Sequence, residues 1–288
     1  VGTAPGLWLE HNDKIFIMLP GPPSELTHVC EQQLWHLLDK KFAGQGIILS
    51  RTLRLRGIGE SSVAEIIDDL IVNQTNPTLA IYARRGEIII RITAKAVDAT
   101  AATVMLDEGE AALRERLEKY IYGVDDESLA SCLGKELLEQ HKTISFAESC
   151  TGGLASSLVT DIAGSSEYLI GSIVTYTNEA KHNLLKVNEA TLGAYGAVSE
   201  ETALEMAQGV RKLFGSDYGV GITGNAGPGG SEGKPVGLVY IAIATPDEVY
   251  CKEFNFTSTR VENKLRIALT AISMVIDKLK ENKLEELY

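Results

Sequence analysis

Apolar positions along the chain follow two periods, and the switch between them marks the elements. In Thr143-Ile144-Ser145-Phe146-Ala147 the apolar positions alternate; beyond it, Leu154, Leu158, Val159 and Ile162 recur at helical spacing. The pattern predicts a strand, a tight turn over Glu148-Ser149-Cys150-Thr151-Gly152-Gly153, and a helix. The same reading places strands near 143–148, 171–177, 217–223, 236–245 and 248–256, and helices near 151–162, 178–186, 199–213 and 258–281. Asp125-Asp126-Glu127-Ser128 opens this α/β domain, assigned to 125–288, and caps a helix through Leu133, Leu137 and Leu138.

Two smaller units precede it. Residues 45–124 carry strand signals at Ile47-Ile48-Leu49 and Thr52-Leu53-Arg54-Leu55, and then a helix with Val63, Ile66, Ile67, Leu70 and Ile71. Strands at 78–82 and 87–94 and a long charged helix from about Thr100 to Tyr120 follow, an order that predicts a small α+β layer with helices on one sheet face. Residues 1–44 offer one strand, Lys14 to Leu19, and one helix with Ser24 as its N-cap and Leu26, Val29, Leu34, Leu37 and Leu38 on one face. One strand and one helix cannot enclose a core, so this unit is expected to be the remnant of an α/β domain.

Composition narrows the classes. At 288 residues, 44% hydrophobic and 23% charged, the chain can form two or three packed domains, and its apolar runs fall far short of the roughly 20 residues of a membrane helix. Four cysteines lie scattered, without a C-x-x-C pair or a nearby histidine at ligand spacing, and no signal-peptide pattern opens the chain. The expectation is a soluble cytoplasmic protein with reduced thiols, no membrane, no metal and no cofactor. A net charge of −12 opposes general nucleic-acid binding. Between Ile47 and Val97 seven basic residues face five acidic ones, a bias of +2 that reads as a solvated face. Gly57-Ile58-Gly59-Glu60 lacks the G-x-x-G spacing of an RNA-binding KH loop, which makes RNA binding by this unit a weak third reading.

Four polar clusters fall at predicted strand ends of the last domain, where open α/β sheets build their sites. They are Ser149-Cys150-Thr151, then Thr175-Tyr176-Thr177-Asn178-Glu179-Ala180-Lys181, then the glycine-rich Thr223 to Gly230, and Thr257-Ser258-Thr259-Arg260 with Arg266 beyond. A serine at a turn is by itself a helix cap, a helical lysine a solvated charge, and a glycine run a plain turn. Their joint occurrence in one domain favours a site. The strand-to-helix turn at Ser149 suits an anion or a developing oxyanion, because helix N-terminal amides are unpaired there. Cys150 at the same helix start is a second candidate nucleophile, since such a position depresses a thiol pKa. The residues alone leave oxygen and sulfur both open.

Ala147 to Gly153, Val174 to Lys181, Gly196-Ala197-Val198-Ser199, and Thr223 to Gly230 with Lys234-Pro235-Val236-Gly237 closely resemble the CinA family, in its C-terminal nicotinamide-nucleotide amidohydrolase domain, over about residues 128–281. Upstream, Val1 to Gly6 and Pro20 to Glu25 are similar to the end of the family's molybdopterin-binding-like domain, and the middle unit resembles its KH-like domain. The resemblance implies a three-layer-type α/β amidohydrolase domain, preceded by the KH-like unit and the remnant of the first.

It further implies hydrolysis of the carboxamide of nicotinamide mononucleotide to nicotinic acid mononucleotide and ammonia, without metal, by a chain that commonly forms homodimers. Carried onto this sequence, Ser149 is the nucleophile and Lys181 its base, with Tyr176 relaying the proton or positioning the lysine. Thr151, Gly152, Gly153, Thr223 and Gly224 are then expected to contact substrate, and Arg260 or, second, Arg266 to hold its phosphate. The family preference is for Ser149 over Cys150. The ADP-ribose hydrolysis ascribed to the family's first domain is not expected of this chain. The rival reading is a non-catalytic interaction protein in competence or DNA-damage response that keeps the cleft only as a ligand pocket.

Overall fold

A computed structural model describes residues 4–84, 86–230 and 232–285. The chain opens with a hairpin, β1 (Leu7–His11) antiparallel to β2 (Lys14–Met18). Its first strand carries no clear sequence signal, and Asn12 and Asp13 take positive φ at the turn. α1 (Pro23–Val29) continues through a wider helical turn, Cys30–Leu34, into α2 (Trp35–Lys41). Pro22 rather than Ser24 stands at the cap, and Pro23 at the first helical position makes no use of an N–H. Leu7, Leu9, Phe16 and Met18 of the hairpin and Trp35 and Leu37 of α2 are exposed.

The middle unit comprises β3 (Ile47–Leu55), α3 (Glu60–Ile66), α4 (Asp68–Val72), β4 (Thr78–Arg84), β5 (Glu87–Ala96), α5 (Ala99–Leu117) and β6 (Ile121–Val124). The two strand signals at its start join into one nine-residue strand, because Arg51, which interrupts the apolar pattern, is held by Asp107 and Glu110 of α5 at 2.7 Å each. The antiparallel order is β4-β5-β3-β6. Leu53, Leu55, Ile90 and Ile92 of the sheet pack with Leu106, Leu113 and Leu117 of α5. The edge strand β6 is too short to show a period.

The last unit runs α6 (Leu129–Glu139), β7 (Ile144–Glu148), α7 (Leu154–Thr160), β8 (Leu169–Val174), α8 (Asn178–Leu185), α9 (Glu189–Tyr195), α10 (Glu200–Phe214), β9 (Tyr218–Gly224), β10 (Leu238–Ala244), β11 (Val249–Asn255) and α11 (Arg260–Glu285). Ser128 caps α6 with a reciprocal capping box. α9 is the one helix here outside the sequence expectation; Asn188 starts it by accepting from Ala190 N. Three layers result. Phe146, Val220 and Ile222 bury against Leu133 of α6, Val159 of α7 and Ile272 of α11, whereas Ala147 faces Leu185 of α8 and Met206 and Val210 of α10.

Sheet topology gathers the site. The order is β11-β10-β9-β7-β8, with β7 parallel to both β8 and β9, so the C-terminal ends of all three emerge at one edge. β10 runs antiparallel to β9 and starts where β9 ends, Val239 opposite Gly224. β11 ends opposite that start, Asn255 against Leu238, and delivers the first turn of α11 to the same edge. The middle unit docks on α11 farther along: Arg56 donates to the Asp277 carboxylate and to Ser273 O.

Candidate active site

Ser149 follows β7 directly. Its N–H donates to Ile222 O at 3.0 Å, and its carbonyl accepts from Gly152 N at 3.1 Å. The turn needs left-handed backbone at Gly152 (φ 64°) and Gly153 (φ 92°), a conformation that costs any residue with a Cβ. Lys181 lies one turn into α8, a helix capped by the Thr177 hydroxyl, which accepts from Ala180 N at 3.1 Å. Helical side chains lean toward their own N-terminus, so Lys181 reaches back across the end of β8. Its Nζ lies 2.8 Å from Thr175 O and 3.1 Å from Ser149 Oγ, and the residue is only 1% exposed. Burial pulls its pKa down to about 8, against smaller upward pulls from Cys150 and Glu232.

Cys150 is turned the other way. It packs in the core under α7 and α11, and burial pushes its thiol up to about 12, the reverse of the depression expected at a helix start. Glu148, a lesser upward influence on that thiol, occupies the helix start itself. Its fully buried carboxylate accepts from Gly153 N (3.0 Å), Ala155 N (3.1 Å), Ser156 N (2.9 Å) and Ser156 Oγ (2.7 Å), closing the N-terminus of α7. The open, anion-attracting helix start expected from the sequence is therefore already filled by a residue of the chain. With Gly152 N and Gly153 N engaged, the Thr151 N–H is the amide of the turn left without an acceptor among the described residues, Cys150 N–H facing its own sulfur. The Thr151 and Thr175 hydroxyls, both buried, also lack partners.

The glycine-rich loop is tied down by Asn225 and Lys234 of the quoted motifs and by two residues the sequence reading did not single out, Glu232 and Asn263. Asn225 donates through its backbone N–H to Leu238 O, accepts from Gly237 N, and binds Gly227 N through its side chain. Asn263 of α11, fully buried, donates to Ala226 O and Ser258 O. Glu232 accepts from Ala197 N and Val198 N, and Lys234 donates to Tyr195 O and Val198 O, so the Gly196-Ala197-Val198-Ser199 segment is the platform on which this loop rests. Thr223 is buried with its hydroxyl donated to Ala197 O at 2.6 Å, and Gly224 is packed against Val239. Both support the loop from beneath.

Tyr176 and Arg260 meet, though not as expected. The phenol is largely exposed and accepts from Arg260 Nη2 at 2.9 Å, not from Lys181. Arg260 Nη1 donates to Gly227 O, joining the lysine segment to the glycine loop. Arg266 is absent from this group. Six residues along a helix turn it about 240° from Arg260, and it lies over the Phe256 ring, 5.7 Å from its centroid, in an open cleft of about 850 Å³ that Arg56, Arg84 and Glu87 also line.

Similarity to known proteins follows the same division. The family description "CinA C-terminal domain" matches residues 126–279, and "Damage-inducible protein CinA KH domain" matches 50–123. The chain belongs to the CinA family. It is 46% identical over 275 residues to a putative competence-damage inducible protein of Clostridium acetobutylicum, covering 95% of this chain and 66% of that one. A protein of the same description from Bacillus pumilus is 43% identical over 281 residues, covering 98% and 68%. The chain thus spans about two thirds of the length of the curated relatives it matches. Among solved structures, the competence/damage inducible protein CihA of Agrobacterium tumefaciens aligns with a TM-score of 0.51 at 41% identity, over 53% of this chain and 93% of its own. A CinA superfamily protein of Klebsiella pneumoniae aligns at 0.52 and 30%, over 53% and 96%. Among the described residues no helix is long and apolar enough to cross a membrane.

Proposed function

We propose that this CinA-family chain is an amidohydrolase that cleaves the carboxamide of nicotinamide mononucleotide, with Ser149 as nucleophile and Lys181 as general base. The reading rests on one observation above all, a nearly inaccessible lysine 3.1 Å from a serine hydroxyl at the C-terminal edge of the sheet. A buried ammonium without a carboxylate partner is costly, and its lowered pKa makes the neutral amine accessible near neutral pH.

In the neutral form Lys181 Nζ keeps a hydrogen bond to Thr175 O and directs its lone pair at the Ser149 hydroxyl. It takes that proton as Ser149 Oγ attacks the carboxamide carbon, and the carbonyl oxygen acquires the negative charge. In this reading the Thr151 amide, which backbone pairing leaves over, donates to that oxygen. Collapse breaks the C–N bond, and Lys181 returns the proton to the leaving nitrogen, which departs as ammonia. Water then attacks the acyl-serine ester, giving one proton to Lys181, and Ser149 leaves with that proton and releases the carboxylic acid, which ionises to the carboxylate in solvent. Every proton passes through one nitrogen, so no metal is invoked.

Ammonia release from nicotinamide mononucleotide tests the reading. Turnover by the purified protein that vanishes in Ser149→Ala is the expected result; a wild-type protein without turnover would leave the cleft as a binding pocket only.

A further inference from the structure

The middle unit and the last domain meet along a cleft that the serine chemistry leaves unused. Its main part, about 850 Å³, is lined by Arg56 and Arg84 from one side and by Ser258, Thr259 and Arg266 from the other. A cavity of about 500 Å³ adjoins it, since Arg56, Gly57, Gly86 and Arg266 line both. Lys119 of the middle unit and Lys252 of β11 stand at this second cavity, whose apolar lining includes Phe254, Leu269 and Met274. Lys252 and Phe254 are two residues apart on β11 and project from the same face of the strand. Arg266 and Lys119 each lie over an aromatic ring, 5.7 Å from the Phe256 centroid and 4.8 Å from that of Tyr120, contacts that place both cations without neutralising them.

Charge sets this cleft apart. The chain carries a net charge of −12, yet Arg56, Arg84, Lys119, Lys252 and Arg266 all line the two cavities. Arg56 is bound by Asp277, whereas the other four have no ion pair among the described residues. Three carboxylates share the lining. Glu87 is taken up by Arg54 and Tyr122 and Asp277 by Arg56, and Glu262 is not free either. Unneutralised cations in a concave, partly apolar site concentrate anions there. They come from both units, Arg84 and Lys119 from one and Lys252 and Arg266 from the other, so an anion with more than one phosphoryl group can answer both walls. The apolar lining receives a base, and the two volumes are those of a small-molecule site.

We propose that this cleft is a binding site for a nucleoside polyphosphate, distinct from the serine cleft and independent of the amidohydrolase reading. The phosphates meet Arg84 and Arg266, Lys119 and Lys252 add to the attraction, and the base lies against Phe254 and Leu269. The occupant touches both units and so ties the middle unit to the last domain.

The test is calorimetric titration of ADP, adenosine and pyrophosphate into the wild-type protein and into Arg84→Met, Arg266→Met, Arg266→Lys and Arg260→Met. ADP is expected to bind the wild type. Loss of a charge-assisted contact predicts roughly tenfold weaker ADP binding in Arg84→Met and in Arg266→Met, partial recovery in Arg266→Lys, and no change in Arg260→Met. Adenosine and pyrophosphate should each bind roughly tenfold or more weakly than ADP, the one lacking the phosphates and the other the base. ADP should also raise the thermal midpoint of the wild type, and less so that of Arg266→Met. Arg84 and Arg266 are exposed, so the unliganded variants should melt with the wild type. Absence of ADP binding, binding unchanged in both arginine variants, or a loss confined to Arg260→Met would overturn the proposal. Adenosine or pyrophosphate binding as tightly as ADP would overturn it equally.

Discussion

Lys181 Nζ bridges Ser149 Oγ and the Thr175 carbonyl from a side chain almost wholly removed from water, so the same burial that makes the lysine a base also fixes where it points. With a pKa of about 8, roughly a tenth of the molecules hold it neutral at pH 7. We expect kcat/KM for ammonia release to rise about tenfold from pH 6 to 7 and to level off above pH 8. A flat profile across that range would remove Lys181 from the role of base.

The same shift affects stability. The folded pKa lies below the unfolded value of 10.5, so between about pH 8 and 10.5 the unfolded chain binds more protons, and stability rises with pH in that window. Below pH 8 the cost of the buried amine is fully present. Lys181→Met should therefore be inactive yet more stable at pH 7 by about 1–2 kcal/mol, lost hydrogen bonds offsetting part of the gain. Urea denaturation at pH 7 and pH 10 checks both the sign and its reduction at high pH.

Glu148 is expected to matter for folding first. Replacing it by alanine leaves three amides at the start of α7 without acceptors and should cost on the order of 3 kcal/mol, read from the urea midpoint. Glu148→Gln retains one acceptor oxygen of the two and should lose less than Glu148→Ala. Equal stability of Glu148→Ala and wild type would show that water replaces the carboxylate.

Cys150→Ala should retain most of the ammonia-releasing activity, because the sulfur packs in the core and its thiol is pushed to about 12. Reaction of the native protein with a thiol-specific chromogenic disulfide should spare Cys150 until the protein unfolds. An inactive Cys150→Ala protein beside an active Ser149→Ala protein would exchange their roles.

Tyr176→Phe separates two functions. The hydrogen bond with Arg260 predicts a rise in KM of a few fold with kcat nearly unchanged. A proton relay instead predicts a fall in kcat of about a hundredfold or more.

Much of the scaffold is legible in periodicity, because β9 and β10 are seven-residue strands, α10 shows a clear apolar stripe, and the five-residue β7 is marked by the switch to helical spacing that follows it. β1, β6 and α9 are not, being five, four and seven residues long, too short for a period to declare itself. Ser149 and Lys181 stand out as polar residues at strand ends. The roles of Glu148 and Asn263 do not, since an acid ending a strand and an asparagine within a helix read as solvent-facing unless their partners are known. Arg266 illustrates the converse: nearness in sequence to Arg260 suggests a shared task, while the helical twist assigns it to another face.

α11 joins two regions of the molecule as one continuous element. Asp277, which holds Arg56 of the middle unit, lies 17 residues beyond Arg260, about 26 Å along the helix axis at ~1.5 Å per residue. Pivoted at Asp277, a tilt of about 2° carries Arg260 through about 1 Å, a displacement on the scale at which misplaced groups lose about a hundredfold in rate. The contact that seats the middle unit and the arginine beside the serine turn are thus borne by one unbroken rod, whose buried face is packed into the core under β7.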